Sequence, residues 1–178
     1  MRRQPRGPRS RLWLGAALAA AMAMTTLGCA NVPSGEQLIQ INHQAADALL
    51  QGTALDPNQP VLIATLVDLD DLGRSSRLGR LTSEHVAARL ARQGVMVKEL
   101  KLREQVFMEQ SSGALLLSRE IKDLSTEHAA QAVVVGTYTV AGDTVYISLK
   151  LVRPEGNIVV SAHDYAFRLG ESNRALLR

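Results

Sequence analysis

The chain has 178 residues, with 20 lysines and arginines against 17 aspartates and glutamates, four histidines and a single cysteine. A lone cysteine excludes a disulfide within the chain, and the length suits one domain. The positive balance is local: five arginines and no acid precede Cys29, so the remainder carries 15 basic against 17 acidic residues, a net charge of −2 that gives no basis for nucleic-acid binding.

Arg2, Arg3, Arg6, Arg9 and Arg11 make a basic start, Leu12 to Leu27 an apolar run of 16 residues, and Gly28 a small residue ahead of Cys29. This is the order of a secretory signal. As a helix the run spans about 24 Å, short of a hydrocarbon core of about 30 Å, which argues against a permanent transmembrane span. Thr26-Leu27-Gly28-Cys29 resembles the bacterial lipobox, with Thr26 where leucine is usual. The resemblance implies a lipid on the Cys29 thiol, removal of residues 1–28 and acylation of the new amino terminus. Ordinary cleavage, with Cys29 as a small apolar residue, is the competing reading. Ala30 stands where an aspartate would resemble an inner-membrane retention signal, which by analogy directs the protein to the outer membrane, facing the periplasm. Residues 29–34 would form a lipidated tether, its five residues after Cys29 reaching about 17 Å when extended. Anchoring by two or more acyl chains is effectively stable. The 150 residues from Cys29 onward are enough to bury roughly 70% of their unfolded surface without a staple.

Ser34-Gly35-Glu36-Gln37 has the spacing of a capping box, and Leu38, Ile41, Ala45, Ala48 and Leu49 recur at helical spacing up to Gly52. Val61 to Val67 is apolar on both faces, which predicts a central strand covered above and below. The stretch Gly73 to Arg80 leads into a second helix reaching about Gln93, with Ser75 or Ser76 as its cap. Gly79, Ser83, Val86, Ala87 and Leu90 form its buried stripe; His85, Arg89 and Arg92 are placed on the opposite side. Leu78 and Leu81 fall outside that stripe, covering a sheet end or meeting a neighbouring subunit. Val95 to Leu100 alternates like a strand near an edge. Leu102 to Gly113 is irregular and carries Phe107 and Met108, either an interaction patch or a local anchor for the core. A third helix carries Leu117, Ile121 and Leu124, with His128 one turn on.

The remainder reads as strands over 132–140, 145–152 and 158–169, with turns at Ala141-Gly142-Asp143 and Pro154-Glu155-Gly156-Asn157, and a short terminal helix over 171–177. In the middle strand Val145, Ile147, Leu149 and Leu151 face one way, Ser148 and Lys150 the other. The order predicts a single α/β domain over 35–178 with a mixed sheet, parallel crossovers early and an antiparallel meander late.

Chemistry-bearing constellations are sparse. His43, His85, His128 and His163 are each isolated in sequence, whereas zinc needs three or four converging ligands. Asp68, Asp70 and Asp71 cluster at the end of a strand, where α/β folds often place ligands, yet EF-hand spacing is absent and a self-capped turn is the simpler reading. Ser75 and Ser76 lack a nucleophile elbow, and Gly73-Arg74-Ser75-Ser76 lacks the ending of a P-loop. No catalytic residue, metal ligand or cofactor-binding residue is therefore expected.

Four stretches, Val61 to Leu90, Gly94 to Glu104, Leu115 to Leu124 and Ala132 to Phe167, resemble in the same order the FlgO family of flagellar outer-membrane lipoproteins. The resemblance implies an outer-membrane lipoprotein that supports flagellar motility beside the basal body, with basal-body proteins as partners and a homo-oligomer possible. It also implies a domain similar to the amino-terminal domain of TolB and the periplasmic part of the curli secretion lipoprotein. Only Cys29 is carried over, as the lipid attachment point. The alternative is an outer-membrane lipoprotein that regulates a cell-wall or envelope assembly machine, which the short tether disfavours for a target at the inner membrane. An enzyme ranks third, for want of any acid/base or nucleophile constellation.

Overall fold

A computed structural model describes residues 35–100 and 119–178, all within one compact unit. Helix α1 (Gly35–Leu50) buries Leu38, Asn42, Ala45, Ala46 and Leu49. Four of the five are the apolar stripe that makes the segment helical; Asn42 is a polar intruder. Ser34, the expected cap, and the irregular segment with Phe107, Met108 and Gly113 lie outside the described residues, as does Leu117.

The expected strand Val61–Val67 is two strands, β1 (Val61–Ala64) and β2 (Val67–Asp68). Both run parallel to β4 (Ala132–Ala141), β1 in the register Ile63 to Val134 and β2 in the register Val67 to Thr137. One more residue is thus used on the first chain than on the second, a bulge at Thr65-Leu66. The cause is α2 (Arg77–Arg92) together with the residue just ahead of its cap, whose side chains capture the backbone there. Leu66 N–H donates to Ser83 Oγ (2.9 Å), and Ser75 Oγ donates to the Leu66 carbonyl (2.6 Å). Gly136 accommodates the bulge, since a Cβ on it would lie 2.9 Å from Leu66 Cγ.

Ser76 caps α2, its hydroxyl accepting from Gly79 N–H at 3.3 Å. The predicted stripe of α2 is buried throughout, and Leu78 joins it with no exposure while Leu81 packs half-buried beside it, so both cover the sheet. Helix α2 ends at Gly94, which takes the left-handed φ of +84° that a glycine adopts without penalty.

Strand β3 (Val97–Leu100) pairs parallel with β1 and forms one edge of the sheet. Helix α3 (Arg119–Glu127) returns the chain to β4. β4, β5 (Thr144–Arg153) and β6 (Ile158–Arg168) make the antiparallel meander, giving the order β3-β1-β4-β5-β6 with β2 alongside β4. A single 3-10 turn over Glu155–Asn157 joins the last two strands. The C-terminal segment Glu171–Leu177 is 3-10 rather than α-helical.

Helices α1 and α2 cover one face of the sheet, closing a core with Ile63, Val134, Ile147, Leu149 and Leu151. Among the described residues the other face is covered only over its parallel half, where Leu62, Ala64, Val133 and Val135 pack with Leu124 of α3. Every residue of β1 is buried because both layers meet there. Over the meander no described residue covers the second face.

Candidate functional site

The open face forms a shallow concavity of about 440 Å³. Its floor follows from strand alternation: the register pairs Thr137 with Ser148 and Thr139 with Tyr146 across β4 and β5, and Ser148 with Asp164 and Tyr146 with Ala166 across β5 and β6. All these side chains stand on the side away from α1 and α2. Leu69, 46% exposed, closes one end from the turn after β2, and Tyr146, 50% exposed, rises from the middle. The Tyr146 phenol, the hydroxyls of Thr137, Thr139 and Ser148, the aliphatic Leu69 and Ala166 and the Asp164 carboxylate give a surface suited to holding a partner by apolar contact and directed hydrogen bonds.

The acidic turn beside it is self-satisfied. Asp68 Oδ1 accepts from Asp70 N–H (2.9 Å), Asp71 Oδ1 accepts from Gly73 N–H (3.2 Å), and Thr139 Oγ1 donates to Asp70 Oδ2 (3.4 Å). Asp71 also meets Arg74 at 3.8 Å, both exposed. Among the described residues no group of three or more His, Cys, Asp or Glu is arranged to hold a metal. Ser75 and Ser76 are committed to the Leu66 carbonyl and to the helix cap, respectively.

On the helical side of the sheet the fold assembles a polar line that was not legible in sequence. Tyr165 of β6 donates its hydroxyl to Asn42 Oδ1 at 2.7 Å, and Asn42 Nδ2 donates to His85 Nδ1 at 2.9 Å. His85 in turn meets the edge of the His43 ring, centroids 6.4 Å apart, while Tyr165 stacks on His163 at 5.9 Å and on Phe167 at 6.5 Å. Burial raises the Tyr165 pKa, so the phenol stays protonated. Burial and the nearby His43 lower that of His85, with Glu84 opposing, which keeps the ring neutral as the bond from Asn42 requires.

Arg89 grips Asp47 with two bonds of 2.7 and 2.8 Å, and Gln93 adds a third at 2.9 Å. The Arg89 hydrogen bond holds the Asp47 carboxyl below the usual range despite partial burial. The expectation that His85 and Arg89 face away from the core with Arg92 is thus corrected: α1 lies along that flank of α2, and only Arg92 remains exposed. The histidines, isolated in sequence, meet in space once: the helix pairing brings His43 to His85, while His128 and His163 stay apart from them.

Cys29 lies outside the described residues. Among the described residues no helix is long and apolar enough to cross a membrane. Sequence reasoning missed Asn42 and Tyr165, although a polar residue flanked by Leu38, Ala45, Ala46 and Leu49 was the available signal for the first. It also missed Tyr146 as the centre of the open face, which the alternation of β5 implied.

No curated protein matches the sequence. Among solved structures the chain is similar to the LpoB C-terminal domain from Escherichia coli, at 12% identity and a TM-score of 0.52, over 72% of this chain and 96% of that one. The same domain from Salmonella enterica gives 15% identity and a TM-score of 0.48 over 71% and 94%. Lipoprotein GNA1162 from Neisseria meningitidis gives 16% and 0.42 over 64% and 83%. At such identities the likeness to the E. coli domain is one of fold, a mixed α/β sheet carried by a single domain. The sequence profile described as FlgO protein matches residues 43–171, from the middle of α1 to the end of the meander. The chain belongs to the FlgO family.

Proposed function

We propose that the protein is an outer-membrane lipoprotein supporting flagellar motility as a structural or assembly component beside the basal body, facing the periplasm. In this reading residues 1–28 are a signal removed on export, Cys29 carries the lipid, residues 29–34 are the tether and residues 35–178 the working domain. The family match over 43–171 is the observation that carries it. The lipobox-like Thr26-Leu27-Gly28-Cys29 supports the anchor. The role assigned to the domain is to bind rather than to catalyse, with the concavity around Tyr146 as the surface that meets a basal-body protein.

Cys29→Ser tests the anchor and the role together. The substituted protein is expected to leave the sedimented membrane fraction and to shrink the swimming zone in soft agar. Normal swimming with the protein wholly soluble would overturn the role of anchoring. Retention in the membrane fraction would overturn the assignment of Cys29.

A further inference from the structure

The outer edge of β6 is free: it ends the strand order, and among the described residues no element pairs with it. Its phase is fixed by one bond. Leu169 N–H donates to the Asp143 carbonyl at 2.7 Å, on the same register that pairs Thr144 with Arg168. Alternation along an antiparallel ladder then turns the amides of the odd-numbered residues 161 to 169 toward β5, and turns those of Ala162, Asp164, Ala166 and Arg168 outward. The side chains of these four all stand on the open face and are exposed.

Natural edges are commonly guarded by proline, lysine or a bulge. The register shift near Leu151 and Val152 disturbs only the start of β6, and from Ser161 to Arg168 the strand is regular, without proline or lysine. Such a segment is a template for another strand.

We propose that the partner is a second copy of this chain, its β6 running antiparallel about a two-fold axis at Ala166. Charge selects both occupant and register. Centred on Ala166, Asp164 stands directly opposite Arg168 of the second copy, and the reciprocal pair repeats the contact. Centred on Asp164, the strands would oppose that carboxylate to itself. Centred on Tyr165, it would face only Ala166.

Asp164 has no ion-pair partner among the described residues, and Arg168 reaches only Asp143, at 3.7 Å with both side chains more than half exposed. Both charges are therefore available at little cost. Ala166 puts the smallest side chain at the axis. The joined sheets carry two concave faces side by side, centred on two copies of Tyr146. The dimer stands independently of the flagellar reading.

Cysteine cross-linking of the full chain tests the register. In a hydrogen-bonded antiparallel pair the two Cα atoms at the axis lie about 5.5 Å apart, within disulfide reach. Under mild oxidation, in a Cys29→Ser background that removes the other thiol, Ala166→Cys is expected to give a covalent dimer that Cys29→Ser alone does not give. Ala162→Cys, whose copies lie about 26 Å apart along the strands, gives none. In the Ala166→Cys background, Asp164→Arg or Arg168→Asp alone lowers the cross-linked fraction roughly fivefold, and the two together restore it. Absence of a dimer with Ala166→Cys, equal cross-linking from Ala162→Cys, or a double exchange that fails to restore the yield would each overturn the proposal.

Discussion

Tyr165 in β6 and Asn42 in α1 lie 123 residues apart in the chain, and the hydroxyl of the first donates to the side-chain oxygen of the second at 2.7 Å. Asn42 has no exposed surface, so its amide finds all its bonding inside the protein. One bond goes to the last strand and the other to His85 of α2, tying together three elements that apolar packing alone would leave free to slide.

Tyr165→Phe is expected to lower stability by about 1–3 kcal/mol, because it leaves the buried Asn42 oxygen without a donor. Asn42→Leu removes the amide instead and should cost a comparable amount by orphaning the tyrosine hydroxyl. The double variant should cost less than the sum, by about 0.5–3 kcal/mol, since the second change removes the group that the first left unsatisfied. Urea unfolding measures all three, with the midpoint moving and the slope unchanged. Strict additivity would show that the bond is not formed.

How much of this was legible depends on whether the signal is local. The meander could be read because Val145, Ile147, Leu149 and Leu151 alternate with polar residues and all four prove buried. The stripe of α2 was readable for the same reason. The break between β1 and β2 was not, because Thr65-Leu66 is apolar enough to continue the strand and is diverted by Ser83 of α2 and by Ser75 just ahead of that helix. His85 and Arg89 were placed in solvent because nothing in the α2 sequence says that α1 lies alongside. The open face was half legible: Ser148 and Lys150 pointed to a second side of β5, but how far α3 covers that side depends on tertiary packing.

The neutral state demanded of His85 makes stability depend on pH. Its folded pKa lies below the ordinary 6.5, chiefly through burial and then through His43. The unfolded chain therefore binds more protons than the native one between those two values, and stability rises with pH across that window. The contribution is complete above pH 6.5 and is lost as pH falls through the folded pKa. His85→Gln, whose side-chain oxygen can accept from Asn42 without titrating, should flatten this segment of the stability profile. An unchanged slope in His85→Gln would assign the dependence to another group.

Gly79 is a contact rather than a hinge. A Cβ there would stand 2.6 Å from Ser75 Oγ and 2.9 Å from Tyr138 Cε1, and closer still to the Leu66 carbonyl oxygen. The carbonyl cannot retreat, because the hydrogen bonds from Ser75 and to Ser83 hold that bulge in place. Gly79→Ala gains about 1 kcal/mol of helix propensity, but overpacking against fixed backbone outweighs it, for a net loss of about 1–3 kcal/mol. Thermal unfolding reads the sign directly, and a higher midpoint in Gly79→Ala would show that α2 can lift from the sheet at no cost.

Thr82 offers the opposite case, a buried group that the fold would be better without. Its side chain has no exposed surface, and its hydroxyl has no hydrogen-bond partner among the described residues. Thr82→Val keeps the branched shape and nearly the same helix propensity while removing the desolvated oxygen. It should raise stability by about 1 kcal/mol. Thr82→Ser keeps the hydroxyl and deletes the methyl group, opening a small void that costs about 1 kcal/mol. The two substitutions therefore move the urea midpoint in opposite directions if the oxygen is the liability and the methyl the asset. A Thr82→Val protein that unfolds before the native chain would mean that the hydroxyl holds a bond worth more than its desolvation.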